Sequence, residues 1–200
     1  MTSYLSKNSK SGFTLVELLV VLSIIVILAG ITFGVASGVQ STRLKSTAKA
    51  ELTLLSQGIE QFRLDNGDFP LTSSPEDNAI TLSKSLLGWK AFLGSPAKFI
   101  DKRLSQVDPA PMPYIPVSKI NFEGELPESP RKKPVDVRFV DPWGQAYVYA
   151  YKESKKWDNY GFVLFSKGED GESSPIPEDG VLTREFMEQA QNIDNIYIEQ

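Results

Sequence analysis

The sequence predicts an α+β protein in which a long N-terminal helix packs on a small C-terminal antiparallel β-sheet. Two observations support this fold class. No proline interrupts the chain from Phe13 to Phe69, a stretch that is first continuously apolar and then amphipathic with a helical period. Near the C-terminus, the aromatic-rich runs Gln145–Tyr151 and Tyr160–Phe165 flank a polar loop and are typical of an antiparallel hairpin.

The apolar run extends from Phe13 to Val39 and contains one ionisable side chain, Glu17. At about 1.5 Å per residue, such a helix is long enough to cross the roughly 30 Å hydrocarbon core of a membrane. The preceding segment carries Lys7 and Lys10 and no acidic residue, which predicts a cytoplasmic N-terminus and a C-terminal domain across the membrane. Hydropathy alone leaves a plain signal anchor open as the alternative.

The amphipathic part of the helix follows Val39. Its apolar residues recur at spacings of three and four, which places them on one helical face. They are Leu44, Ala48, Leu52, Leu55, Ile59 and Phe62. We expect one helix from about Phe13 to Leu64, ended by the Asp-Asn-Gly run at 65–67. Its first half would lie in a membrane or filament core, and its second half would pack on the sheet.

Glu17 is unusual because a carboxylate within an apolar span costs roughly 2.5–3.5 kcal/mol on insertion scales and is normally paired or functional. The span contains no lysine or arginine to pair with it. A cut between Gly12 and Phe13 would create an α-amine four residues before Glu17, on the same helical face. That amine would pair with Glu17 of its own chain or of a neighbouring helix.

The stretch Lys10–Glu17, KSGFTLVE, resembles the N-terminal signal of type IV pilins and type II secretion pseudopilins. The resemblance implies that a prepilin peptidase cuts after Gly12 and methylates Phe13, and that Glu17 acts in subunit recruitment and assembly. It also implies a cleaved leader at 1–12, a transmembrane or filament-core helix at 13–39 and a periplasmic domain at 40–200.

Three further segments resemble the major pseudopilins of type II secretion, the protein G family. They are Leu64–Pro70, the Asp-Pro-Trp-Gly element at Asp141–Gly144, and Phe165–Gly171. We interpret the Asp-Pro-Trp-Gly element as a structural turn with a buried tryptophan, because no reaction is apparent for its residues.

Three glycines, Gly30, Gly34 and Gly38, form a ladder of small residues at a spacing of four within the apolar helix. Such a ladder permits close helix packing in a membrane or filament. The alternative is that glycine is simply frequent in membrane helices.

The acidic C-terminal region is a candidate calcium site, because calcium takes six to eight oxygen ligands from carboxylates and carbonyls. A solvated acidic tail is the alternative. The resemblance implies calcium, with Asp170 as one ligand and Asp179, Asp194 or Asn195 as the second. A short helix is predicted between these residues, at Thr183–Gln191.

The middle of the chain departs most from the family. Its spacing of leucines predicts a short helix at Thr81–Leu93, and Val135–Val140 is a candidate strand. Between them, seven prolines at 108–134 predict an irregular, proline-rich insertion at the surface.

Composition limits the function. The chain has no histidine and no cysteine, which excludes Ser-His-Asp and Cys-His catalysis and disulfides. Its net charge of −4 does not favour a nucleic-acid partner. The resemblance implies a structural subunit rather than an enzyme, anchored in the bacterial inner membrane and assembled into a type II secretion pseudopilus. The resemblance implies as partners further copies of the chain, prepilin peptidase, minor pseudopilins and an inner-membrane assembly platform.

Two alternatives remain at this point. One is a type IV pilus subunit for adhesion, motility or DNA uptake. The absence of cysteine disfavours it, because many such pilins close a loop with a disulfide. The other is a membrane-anchored periplasmic binding protein, which would need a ligand pocket with convergent polar groups.

Overall fold

The computed structural model describes residues 14–72, 74–105 and 108–198, without the side chains of 31–39. The chain divides into two compact units, Met1–Thr42 and Arg43–Gln200. Helix α1, Leu15–Asn66, begins in the first unit and ends in the second. It confirms the long helix predicted from the sequence, although it ends at Asn66 rather than Leu64.

The described part of the first unit is helical, and its large apolar side chains between Leu15 and Leu28 are exposed. Within the residues that the structure describes, no helix is both long enough and apolar enough to span a membrane. The leader at 1–12 and Phe13 lie outside the described residues. The domain boundaries at 1–12, 13–39 and 40–200 therefore stay predictions.

The core of the second unit is built on the predicted apolar face of α1. Ala48, Leu52, Leu55, Ile59 and Phe62 are each at most 1% exposed, whereas Leu44 is half-buried. These side chains share one hydrophobic core with apolar residues of the later helix and sheets, among them Leu82, Leu86, Phe139, Tyr149 and Leu164. Gly67 follows the last residue of α1 and terminates the helix; its φ is +88°, and its N–H donates to the carbonyl of Arg63 at 2.7 Å.

The helix predicted at Thr81–Leu93 is wrong at both ends. Helix α2 is Pro75–Leu86, and it starts early because Pro75 occupies its first turn. It stops at Gly88, which has a φ of +79°, and the N–H of Trp89 donates back to the carbonyl of Lys84 at 2.8 Å. The residues that follow form strand β1, Lys90–Leu93, which pairs in antiparallel register with β2, Lys98–Asp101.

Two further small sheets complete the unit, and both are antiparallel. Strand β3, Asn121–Glu123, pairs with β4, Arg138–Val140. Strand β5, Val148–Ala150, pairs with β6, Val163–Ser166, and β7, Ile196–Tyr197, adds to the other edge of β6. The α+β class and the predicted hairpin are confirmed. The strand predicted at Val135–Val140 is shorter than expected, since β4 contains only the last three of these residues.

The proline-rich insertion at 108–134 is more ordered than predicted. It contains strand β3, and the side chains of Ile115 and Ile120 are buried in the main core. Its prolines exclude long regular elements, but these two isoleucines anchor it on the domain.

The segment between β6 and β7 contains helix α3, Arg184–Met187, which is shorter than the helix predicted at 183–191. The N–H of Phe186 donates to the hydroxyl of Thr183 at 3.2 Å and caps this helix. Asn192 is 1% exposed; its Oδ1 accepts from the N–H of Ser174 at 2.8 Å and its Nδ2 donates to the carbonyl of Phe186 at 2.7 Å. The buried side chain of Asn192 thus links both sides of the segment between β6 and β7 by hydrogen bonds.

Candidate functional site

The first turn of α1 is closed by a reciprocal pair of side chains. The Oε2 atom of Glu17 accepts from the N–H and the hydroxyl of Thr14, both at 2.8 Å. The hydroxyl of Thr14 accepts in turn from the N–H of Glu17 at 3.3 Å. This is a capping box, with threonine at the cap and glutamate three residues later. Sequence reasoning missed it, although the spacing Thr-x-x-Glu was visible.

The predicted cleavage pair, Gly12 and Phe13, lies outside the described residues. In the glycine ladder, a methyl group placed on Gly30 would meet nothing within 4 Å. The surroundings of Gly34 and Gly38 are not described. The processing and packing roles of these residues therefore stay predictions.

The Asp-Pro-Trp-Gly element forms a tight turn after β4, centred on a buried carboxylate. Asp141 is 1% exposed, and its Oδ1 accepts from the N–H groups of Trp143 at 3.0 Å and Gln145 at 2.9 Å. Gly144 has a φ of +86°, a conformation that favours glycine. This geometry agrees with the predicted turn, but Trp143 is only half-buried against the main core, so the prediction of a buried tryptophan is wrong.

The second carboxylate oxygen of Asp141 connects the turn to the end of β6. The hydroxyl of Ser166, which is fully buried, donates to Oδ2 of Asp141 at 2.6 Å. The same hydroxyl oxygen accepts from the N–H of Gly168 at 3.1 Å. A buried hydrogen-bond chain therefore leads from the turn into the loop after β6.

That loop and the residues before β7 form what we call the candidate cation loop, residues 167–172 with Asp194 and Asn195. The N–H of Asp170 donates to Oδ2 of Asp194 at 3.2 Å, across 24 positions of sequence. Oδ1 of Asp194 is buried and has no hydrogen-bond partner among the described residues. A carboxylate oxygen in this situation requires a donor or a cation.

The amide of Asn195, which is 9% exposed, faces two main-chain carbonyls of the loop. In one orientation its Nδ2 donates to the carbonyl oxygens of Lys167 and Glu172, both 3.2 Å away. In the other, Oδ1 faces these two oxygens and Nδ2 donates outward to Tyr197 Oη at 3.1 Å and Asn192 Oδ1 at 3.3 Å. The first orientation satisfies the amide and both carbonyls with hydrogen bonds. The second places three oxygens side by side, an arrangement that a bound hard cation would satisfy.

The structure brings Asp170, Asp194 and Asn195 together and places Asp179 in a different turn. The carbonyl of Asp179 accepts from the N–H groups of Asp158 at 2.9 Å and Asn159 at 3.1 Å. Its Oδ1 accepts from the N–H of Val181 at 3.0 Å. Among the described residues, no group of three or more histidine, cysteine, aspartate or glutamate side chains is placed to hold a metal ion.

A second buried acid, which sequence analysis did not single out, joins α1 to the strand region. Glu51 is 6% exposed, and the hydroxyl of Tyr147 donates to its Oε2 at 2.6 Å. Burial raises the pKa of Glu51; the hydrogen bond from Tyr147 opposes this rise, and the negative charge of Asp141 adds to it. Burial and the neighbouring Glu51 raise the pKa of Tyr147, so its hydroxyl stays a donor.

These features define a class of protein. In the described part of the first unit, the apolar side chains of Leu15–Leu28 are exposed on a helix whose first turn is capped by Thr14 and Glu17. The second unit packs the later part of α1 on small antiparallel sheets. This arrangement is that of a pilin-like α+β fold.

Comparison with known proteins agrees with this class. Residues 7–33 match the family model of the prokaryotic N-terminal methylation motif. Over 175 residues, the chain is 25% identical to the type II secretion system core protein G of Pseudomonas aeruginosa, covering 88% of this chain and 94% of that protein. No solved structure matches the chain. Both findings support the resemblance to type IV pilins and type II secretion pseudopilins.

Proposed function

We propose that the chain is a structural subunit of a type II secretion pseudopilus. It is cleaved and methylated by prepilin peptidase in the inner membrane, and its C-terminal domain lies in the periplasm. Copies assemble into a helical filament that helps to export folded proteins. The observation that carries this proposal is the similarity to core protein G over nearly the whole length of both chains, combined with the methylation motif.

The first unit supports assembly in physical terms. A run of exposed apolar side chains such as Leu15–Leu28 marks a surface that contacts lipid or other protein. The waiting subunit buries this surface in the bilayer, and the filament buries it against neighbouring helices. Glu17 then pairs with the methylated amine of Phe13 in an adjacent subunit and selects the register of packing.

The remaining partners follow from this place in the secretion system. Prepilin peptidase acts on the segment around Gly12 and Phe13. The inner-membrane assembly platform receives the processed subunit, and minor pseudopilins associate with the same filament.

Intact mass spectrometry of the membrane-extracted protein tests the processing. We expect the mass to correspond to loss of residues 1–12 and gain of one methyl group, only in cells that contain prepilin peptidase. In the same cells, deletion of the gene should stop release of a folded secreted protein. A mass that retains Met1 would contradict the proposal. Normal secretion with loss of surface motility would indicate a pilus subunit instead.

We also propose that the candidate cation loop binds calcium. Asp170, Asp194 and Asn195 would supply side-chain oxygens, and Lys167 and Glu172 would supply carbonyl oxygens. The unpartnered Oδ1 of Asp194 and the carbonyl-facing amide of Asn195 support this fit. When bound, the ion would join the loop after β6 to the start of β7.

Calcium at about 100 times its dissociation constant should raise the free energy of unfolding by about 2.7 kcal/mol, a melting-temperature shift of about 5–10 °C. Asp194→Asn should abolish this shift, because it removes the charge of the proposed ligand. Asp179→Asn removes a carboxylate charge in another turn and keeps an acceptor for Val181, so its shift should match the wild type. Equal melting of the wild-type chain in calcium and in chelator would exclude the site.

A further inference from the structure

Two buried polar residues outside the proposed ligand set link the Asp-Pro-Trp-Gly turn to the candidate cation loop. They are Asp141 and Ser166, which are 1% and 0% exposed. Neither contacts the proposed ion. This inference rests on the proposed calcium site and concerns how the domain holds that site in place.

The direction of the hydrogen bonds is set by chemistry. An ionised carboxylate only accepts, so the hydroxyl proton of Ser166 must point to Oδ2 of Asp141, 2.6 Å away. The lone pairs of the Ser166 oxygen are then available to the N–H of Gly168 at 3.1 Å. Oδ1 of Asp141 already holds the N–H groups of Trp143 and Gln145. The carboxylate therefore fixes the turn with one oxygen and the start of the loop with the other.

Gly168 is the point where the loop approaches Asp194. Its φ is +70°, and a Cβ atom there would lie 2.4 Å from the carbonyl oxygen of Asp194 and 2.7 Å from its Oδ2. Lys167, directly before it, and Asp170, two residues after it, carry proposed ligand oxygens. The hydrogen bond from the N–H of Gly168 to Ser166 therefore fixes the backbone that places the oxygens of Lys167 and Asp170 near Asp194.

We propose that Asp141 and Ser166 are positioning residues of the calcium loop. Through Gly168, they hold Lys167 and Asp170 at the separation from Asp194 that the ion requires. Because coupling between two sites is reciprocal, calcium binding in turn stabilises the turn at 141–145. The Asp-Pro-Trp-Gly element then both forms a turn of the fold and helps to position the proposed calcium ligands.

The test is Ser166→Ala in the full-length, processed protein in detergent, with calcium affinity measured by calorimetry. We expect affinity to fall by about 10-fold or more, as for other outer-shell partners of metal ligands. Ser83→Ala is the matched control. Ser83 is also fully buried and bridges two elements, since its hydroxyl donates to the carbonyl of Ala79 at 3.0 Å and accepts from the N–H of Phe139 at 3.1 Å. Calcium affinity of this control should equal that of the wild type.

A second variant keeps the test informative if Ser166→Ala does not fold. Asp141→Asn retains an oxygen for the N–H groups of Trp143 and Gln145 but presents an NH₂ group to Ser166. The hydroxyl oxygen of Ser166 then faces two donors, this group and the N–H of Gly168, and its proton loses the carboxylate acceptor that fixes its direction. Calcium affinity should again fall by about 10-fold.

Hydrogen exchange supplies a readout that a purely structural role would not change. In the wild type, calcium should slow exchange of the N–H groups of Trp143 and Gln145. In Ser166→Ala at saturating calcium, this protection should be lost while protection at 167–172 remains. Equal calcium affinities for Ser166→Ala, Ser83→Ala and the wild type would overturn the inference. Absence of calcium binding by the wild type itself would overturn it together with the calcium proposal, and this outcome is visible before any variant is made.

Discussion

Glu17→Gln should be cleaved and methylated normally but should assemble into filaments at least about two orders of magnitude less well. Glutamine keeps an oxygen that accepts from the N–H and hydroxyl of Thr14, so the capping box survives. It loses the charge that, in the proposed filament, pairs with the amine of Phe13 in apolar surroundings. Removing one partner of such a pair costs about 3–5 kcal/mol, and each 1.4 kcal/mol is a factor of ten. The measurement is the amount of sheared filament relative to processed subunit.

Thr14→Ala is the control that separates the cap from the charge. It removes the hydroxyl that bonds Glu17 and destabilises the first turn of α1 by about 1 kcal/mol, but it leaves the carboxylate ionised. We expect near-normal assembly. If Thr14→Ala assembled as poorly as Glu17→Gln, the pairing role of Glu17 would be contradicted and capping would account for the defect.

Phe62→Ala should lower the free energy of unfolding by about 3–5 kcal/mol, because it removes a large side chain from the centre of the core. Phe62 is fully buried, and its ring meets those of Tyr114 and Phe99 edge-on, with centroids 5.4 and 6.3 Å away. Its position on α1 also joins the helix to the insertion and the β1–β2 hairpin. The measurement is denaturant unfolding of the full chain in detergent.

Leu64→Ala serves as the comparison for this variant. Leu64 lies two residues further along the same helix and is 69% exposed, so its removal should change stability by less than about 0.5 kcal/mol. Similar losses of unfolding free energy in the two variants would show that the buried face of α1 is not the one that carries Phe62.

The sequence predicted those parts of the fold that repeat a local pattern. The buried face of α1 followed from a spacing of three and four, and the β5–β6 hairpin followed from two aromatic-rich runs around a polar loop. Helix α2 was misplaced because its apolar spacing continued past Gly88 into β1, where backbone geometry rather than hydrophobic period ends the helix. Strand β7 was missed because two residues are too few to show a period.

The candidate sites also differ in how far they could be predicted, according to whether their residues are close together in the sequence. The predicted cleavage pair, Gly12 and Phe13, lies close to Glu17 in the sequence, so their proposed relation was visible without a structure. The candidate cation loop is assembled from Asp170 and from Asp194–Asn195, and only the pairing of β6 with β7 shows that these two segments meet. The role of Ser166 depends on a single hydroxyl at a strand end, for which no sequence pattern exists.

Residues 173–193, which connect the two parts of the candidate cation loop, affect the conformational entropy of loop closure. The loop residues on either side, Asp170 and Asp194, lie within hydrogen-bond distance. The free energy of closing such a loop grows with the logarithm of its length, by only about 0.6 kcal/mol for each doubling. Contacts inside this segment, such as those of buried Asn192 with Ser174 and Phe186, offset that cost. A change in the length of residues 173–193 would therefore alter the loop-closure entropy little, provided that these buried contacts and the geometry at the two ends are kept.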